Sequence, residues 1–211
     1  FKTEVWSKIV VPVAESNKTV HFLGLLSDGN IHSHVDQLFS MMDGCKRSGV
    51  KKIRLHVLLD GRDVPPTSGL KYIELTEKKC AELQKEGIDA KIASGGGRMA
   101  VTMDRYYSDW NVVEKGWKAH VRGIVDAEEK GYTGYFQNAA EAINSARELF
   151  PSKQDQFNPP FVIVNDQNNP IGKMEDGDVV INFNYRGDRA IEISEAFEFE
   201  SFKGFDRVEN P

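Results

Sequence analysis

TVHFLGLLSDGNIHSH, residues 19–34, decides how the chain is read. Its first eight residues form an apolar run with β-branched and aromatic side chains, halted by Ser27-Asp28-Gly29, and read as a buried strand. Beyond residue 34 the period changes. Val35, Leu38, Phe39, Met42 and Cys45 recur at helical spacing, Ser33 and Asp36 resemble a capping pair, and Gly49 closes the segment. The cycle then repeats, with KIRLHVLL (52–59) as a second strand, a loop with two prolines at 60–69, and a helix over 70–86 ended by Gly87. Residues 89–93 begin a third strand that runs into Ser94-Gly95-Gly96-Gly97-Arg98. Three successive strand, loop and helix units imply parallel pairing, because parallel neighbours need a crossover.

Outward from that core, Trp110, Val113, Trp117 and Val121 mark a helix after Asp109, and another spans 138–150. Two apolar strands, 161–164 and 179–183, and a last helix from about 188 to 197 complete the pattern. The expected fold is α/β: a largely parallel sheet flanked by helices, with a smaller mixed or antiparallel region near the C-terminus. No long linker divides it. Residues 1–18 read as a boundary or hinge segment and 19–211 as one domain. The start at Phe1 and the charged end FDRVENP read as cuts from something longer.

Composition narrows the classes. The 211 residues are 40% hydrophobic and 28% charged, with net charge -5 and mean hydropathy -0.45. No apolar run is long enough for a spanning helix, and FKTEVWSK lacks the core of a signal peptide. A pI near 5.6 argues against a nucleic-acid partner. Cys45 and Cys80 have no knuckle or disulfide-scaffold spacing and read as buried thiols in a reducing, cytoplasmic setting.

In open parallel sheets the ligand crevice lies beyond the carboxyl ends of the strands, so the loops after each strand carry the chemistry. Here they read SDGNIHSH, DGRDVPP, SGGGRMAVTMDR and NYRGDR. Arg62, Arg98, Arg105, Arg186 and Arg189 fall in these loops or at the helical starts beside them. In an acidic chain such a gathering makes a local positive field, and guanidinium forks suit phosphate and carboxylate oxygens. Taken singly, each arginine is as well explained by a surface ion pair, Arg186 and Arg189 by Asp188 or Asp63. The triple glycine has neither the GxGxxG nor the GxxxxGK[ST] spacing. His32-Ser33-His34 admits a metal clasp, but no HExxH, paired cysteine or carboxylate cluster accompanies it, so His32 reads better as a hydrogen-bonding group near an anion. Asp63 reads as either a general acid–base or plain charge compensation for Arg62. No nucleophile elbow, phosphate-loop lysine or serine–histidine pair is present.

GLLSDGNIHSHVDQLF, LDGRDVPP, SGGGRMAVTMDRY and NFNYRGDRA, in that order, resemble the middle domain of the 2,3-bisphosphoglycerate-independent phosphoglycerate mutase family. The resemblance implies an isomerase that interconverts 3-phosphoglycerate and 2-phosphoglycerate through a phosphoserine in glycolysis and gluconeogenesis. It implies an inserted, substrate-binding domain with His32, Arg62, Asp63, Arg98, Arg105, Arg186 and Arg189 as substrate contacts and Asp63 as proton carrier. Two divalent metal ions, manganese in the usual case, would sit in an alkaline-phosphatase-like domain of the same parent chain, with none in this segment. The partners implied are phosphoglycerate and that metal domain, with no nucleic acid and no membrane. The nucleophilic serine and the metal ligands are missing from this segment, so it should not turn over alone. Two other readings stay open: a free-standing metal-dependent phosphate-ester hydrolase using the HSH, and a non-catalytic sugar-phosphate sensor.

Overall fold

Runs of β-branched, aromatic and leucine side chains become strands, and turn residues stop them. In the computed structural model, which describes residues 3–126 and 131–211, β1 (Thr19–Leu26) and β2 (Lys52–Leu59) keep the expected bounds. With α2 (Val35–Arg47), α3 (Gly69–Lys85) and β3 (Asp89–Gly97) they form the anticipated repeating unit. β1 pairs with β2, and β2 with β3, in parallel. The six-stranded sheet has the order β4-β5-β3-β2-β1-β6. β6 (Val179–Asn182) is parallel to β1 at one edge, while β5 (Phe161–Ile163) is antiparallel to β3 and carries the two-residue β4 (Tyr135–Phe136) at the other. The mixed region is therefore confined to β4 and β5, and the last strand rejoins the parallel set.

Successive side chains of β1 and β2 alternate between two apolar layers. Val20, Phe22, Ile53, Leu55 and Val57 pack with Leu38 and Met42 of α2 and Ile73 and Leu83 of α3. Leu23, Leu25 and Leu58 face the opposite way, against Val113 and Trp117 of α4 (Trp110–Trp117) and Ile193 and Ala196 of α6 (Ile191–Glu198). α5 (Ala139–Leu149) joins the first layer through Ala139, Ala142 and Ile143. Helices cover both faces, which leaves the strand ends to the connecting loops. Cys45 and Cys80 lie in the first layer as free thiols, both pushed up to about 12 by burial, and are inert at neutral pH.

Three local expectations change. Residues 1–18, read from the sequence as a boundary or hinge segment with no element of its own, contain a helix, α1 (Glu4–Glu15), started by the Thr3 side chain accepting from Trp6 N–H. Ile9, Val10, Val11 and Pro12 are poor helix formers, but Val10 and Val13 bury against the sheet and that packing outweighs propensity. At α2 the cap is His34, whose Nδ1 accepts from Asp36 N–H, while Ser33 donates to the Leu25 carbonyl. The last helix divides into a short 3-10 turn, Gly187–Arg189, and α6.

The triple glycine is strand, not loop: β3 continues through Gly97. A Cβ on Gly95 would lie 2.4 Å from the Val57 carbonyl, and one on Gly97 2.4 Å from the backbone carbonyl of Gln156 and 2.6 Å from Asn158 N. The glycines let two backbones approach, which is a packing reason for their presence. Gly97→Ala is expected to destabilise the fold by about 1–3 kcal/mol, the usual cost of overpacking. Urea unfolding checks this, and a wild-type midpoint would show that the 154–158 segment simply yields.

Candidate functional site at the carboxyl rim of the sheet

β1, β2, β3 and β6 run the same way, so the loops after Leu26, Leu59, Gly97 and Asn182 share one rim. The loop after β2 is built by Asp60, only 2% exposed. Its Oδ1 accepts from Arg62 N–H at 3.1 Å and Asp63 N–H at 3.0 Å, the local turn that an aspartate favours, and its Oδ2 accepts from Ser27 Oγ at 2.7 Å. Burial raises the carboxyl pKa, but these donors and Arg98 outweigh it, and the net shift is downward. Gly29 completes the junction, because a Cβ there would meet the Asp63 Cβ at 2.9 Å.

Arg98 is the hub. It is 2% exposed and donates through Nη1 to Asp60 Oδ1 at 2.9 Å and to Asp63 Oδ2, and through Nη2 to His32 Nε2 at 2.8 Å. A guanidinium has no acceptor, so His32 Nε2 must be unprotonated and the ring proton must sit on Nδ1. Burial, then the positive field of Arg98, lowers the His32 pKa and keeps the ring neutral. Its Nδ1 lies 3.6 Å from Asp188 Oδ1. Asp188 also stands 3.8 Å from Arg105 Nη1 and 3.0 Å from Arg186 Nε, ion-pair distances without hydrogen-bond geometry. Arg189 is 6% exposed and donates through Nη1 to the Met103 carbonyl. Burial and the positive fields of Arg105, Arg98 and Arg62 lower its pKa. Arg62 itself is exposed, and its side chain makes no hydrogen bond or ion pair among the described residues.

The sequence candidates thus meet at one place. His32 and Asp63 each touch Arg98, Arg105 and Arg186 flank Asp188, Arg189 is held from the β3 loop, and Arg62, exposed, is near enough for its charge to act on Arg189. His34 is turned away to cap α2, so the two histidines of HSH do not form a clasp. Among the described residues no three His, Cys, Asp or Glu side chains are gathered as a metal would require, and Asp60 and Asp63 are already engaged by Arg98, so these residues do not fit a metal. Asp60 escaped the sequence reading, although an Asp two residues before an arginine in DGRD is a turn-forming signal. Most of the buried side-chain polar atoms that lack a partner in the described structure are here: His32 Nδ1, Arg98 Nε, both Asp188 carboxylate oxygens and Arg189 Nε. Buried polar groups are normally satisfied, so the three unspent donors among them, His32 Nδ1, Arg98 Nε and Arg189 Nε, suit an anion, while the Asp188 oxygens are acceptors.

The family model described as "BPG-independent PGAM N-terminus" matches residues 1–211. A probable 2,3-bisphosphoglycerate-independent phosphoglycerate mutase of Leptospira interrogans is 48% identical over 207 residues, covering 98% of this chain and 36% of the relative. The 2,3-bisphosphoglycerate-independent phosphoglycerate mutase of Trypanosoma brucei brucei is 46% identical over 211 residues, covering 100% of this chain and 37% of its own. The crystal structure of Leishmania mexicana phosphoglycerate mutase at low cobalt concentration superposes with a TM-score of 0.93 at 45% identity, over 99% of this chain and 37% of that one. The chain therefore spans little more than a third of the length of these relatives. On the matched span, the motifs and the shared fold, the chain belongs to the 2,3-bisphosphoglycerate-independent phosphoglycerate mutase family.

Proposed function

We propose that this chain is the phosphoglycerate-gripping part, residues 19–211, of a cofactor-independent phosphoglycerate mutase, an isomerase of the cytoplasm that exchanges the 2- and 3-phosphates of glycerate. The observation that carries this reading is the convergence of His32, Arg98, Arg105, Arg186 and Arg189 with unspent donors on one rim, beside the free guanidinium of Arg62. Several cations facing one point suit a guest with two acidic groups, a carboxylate and a phosphate. Asp188 holds Arg105 and Arg186 in place by charge alone and leaves their N–H donors available. Asp63 is held by Arg98 through one oxygen, so the other is free to accept a proton from a glycerate hydroxyl and return it. Arg98 spends three of its five N–H donors on Asp60, Asp63 and His32, so it shapes the site more than it binds the guest.

Movement of the phosphoryl group, with its serine and divalent metals, is assigned to the part of the parent outside this chain, and the chain alone is expected to be inactive. The boundary role of residues 1–18 fits a junction in which Lys18 and Glu209–Pro211 line one cavity beside the amino ends of β1 and β6. In the complete protein, Arg62→Ala or Arg186→Ala is expected to lower kcat/KM by about 2–4 kcal/mol, roughly 30- to 1000-fold, with folding unchanged. Asp63→Asn should reduce kcat while the fold persists. Wild-type kinetics in the two arginine variants would remove the reading.

A further inference from the structure

A second set of buried polar groups crosses the sheet on the face covered by α4 and α6. His21 of β1, His56 of β2, Ser94 of β3, His120 of the π-helical turn Lys118–Arg122, and Thr102 are each no more than 1% exposed. They form one continuous chain. Asp178 Oδ2 lies 3.1 Å from His21 Nε2, His21 Nδ1 is 2.9 Å from His56 Nε2, and His56 Nδ1 is 2.6 Å from Ser94 Oγ. Ser94 Oγ is 2.7 Å from His120 Nδ1, and His120 Nε2 is 2.9 Å from Thr102 Oγ1.

The proton positions are fixed from one end. The Asp178 carboxylate can only accept, and it already takes Thr19 and Glu175 N–H, so His21 donates from Nε2 and must accept at Nδ1. His56 then donates from Nε2 and accepts from the Ser94 hydroxyl. Ser94 accepts from His120 Nδ1–H, which leaves His120 Nε2 as an acceptor that only the Thr102 hydroxyl can satisfy. Every link donates toward Asp178, and all three rings are neutral, in keeping with the lowering of their pKa values by burial.

Thr102 occupies an unusual backbone state, with φ +68, a conformation that costs a β-branched residue dearly and persists only where its surroundings impose it. The space is prepared. A Cβ on Gly116 would lie 2.0 Å from Thr102 Oγ1, and Thr102 N–H donates to the Val112 carbonyl at 2.7 Å. The next residue, Met103, supplies the carbonyl that holds Arg189, and Arg105 comes two residues later.

We propose that Thr102 is a positioning residue, locked by this one-directional chain of three neutral histidines, that sets the β3 loop so that Arg105 and Arg189 face the anion. The inference rests on the rim being the phosphoglycerate grip. In the complete protein, Thr102→Val should raise KM for phosphoglycerate about tenfold with kcat changed far less, and Thr102→Ser should restore it by returning the hydroxyl. With 15N-labelled histidine, the ring nitrogens should show protons on Nε2 of His21 and His56 and on Nδ1 of His120, and Thr102→Val should shift the His120 Nε2 resonance. A wild-type KM in Thr102→Val, failure of Thr102→Ser to rescue, or a His120 proton on Nε2 would overturn it. If the grip assignment itself is wrong, Arg62→Ala and Arg186→Ala will show wild-type kinetics; if only the positioning role is wrong, those variants stay impaired while Thr102→Val does not.

Discussion

Arg98→Ala is expected to cost about 3–5 kcal/mol of folding stability, the range for removing one partner of a buried charge network. Arg98 is the cation that lets Asp60 stay ionised at 2% exposure, and its loss strands Asp60 and Asp63 side by side. Asp60 keeps the Ser27 hydroxyl and two backbone N–H donors, which stops the effect from being larger. The contrast with Arg62 is the useful part. Arg62 is exposed and its side chain has no partner among the described residues, so its removal should leave unfolding in urea unchanged and impair only turnover, whereas Arg98→Ala should lower both. Adding Asp60→Asn to Arg98→Ala should recover part of the stability by removing a stranded charge. A loss under about 1 kcal/mol for the single variant would mean that water reaches Asp60 and that the hub is not a buried one.

The parallel core was legible because period and punctuation agree: the runs at 19–26 and 52–59 are apolar throughout, each ends at a turn residue, and helical spacing comes next. The rim was legible for the same reason, since a parallel sheet puts its post-strand loops together whatever their sequences. What was hidden depended on tertiary contacts. α1 contains Pro12 and β-branched residues and is held by burial of Val10 and Val13, which no local pattern announces. The glycines after Ser94 look like a loop in sequence, and only the approach of residues 156–158 shows them as strand. The histidine chain was invisible because His21, His56 and His120 are distant in sequence and the register of three strands is needed to align them. Asp188 could be suspected as the partner of Arg186, but its place between His32, Arg105 and Arg186 required the coordinates.

The same three histidines make acid the main threat to the fold, and stability is expected to fall steeply below pH 6.5. Burial lowers all three pKa values, that of His120 to about 3. Arg54 pushes His21 and His56 the same way, Lys52 adds to it at His21, and Asp178 opposes it at His21. Below the ordinary value of 6.5 each ring takes a proton when unfolded but not when folded. The unfolded state then binds more protons, and stability rises with pH. The contribution is complete above pH 6.5 and is lost progressively as pH falls toward the folded values. At pH 5 the share of His120 alone has fallen by about 2 kcal/mol, a large part of the marginal stability of a domain, and His21 and His56 add losses of the same sign. Asp178, held at about 2, adds a separate loss between about pH 4 and 2, where its unfolded carboxyl is protonated first. Glu77 and Glu192, both raised by burial, bind protons more readily when folded and work against the slope near pH 5. Measured between pH 5.5 and 6, where carboxyls matter least, the unfolding free energy should rise with pH by at least about 1 kcal/mol per pH unit, the share of His120 alone, and His120→Asn should remove that share. A slope below about 1 kcal/mol per unit would show that the rings are charged in the folded protein, and the one-directional chain they form would have to be abandoned with it.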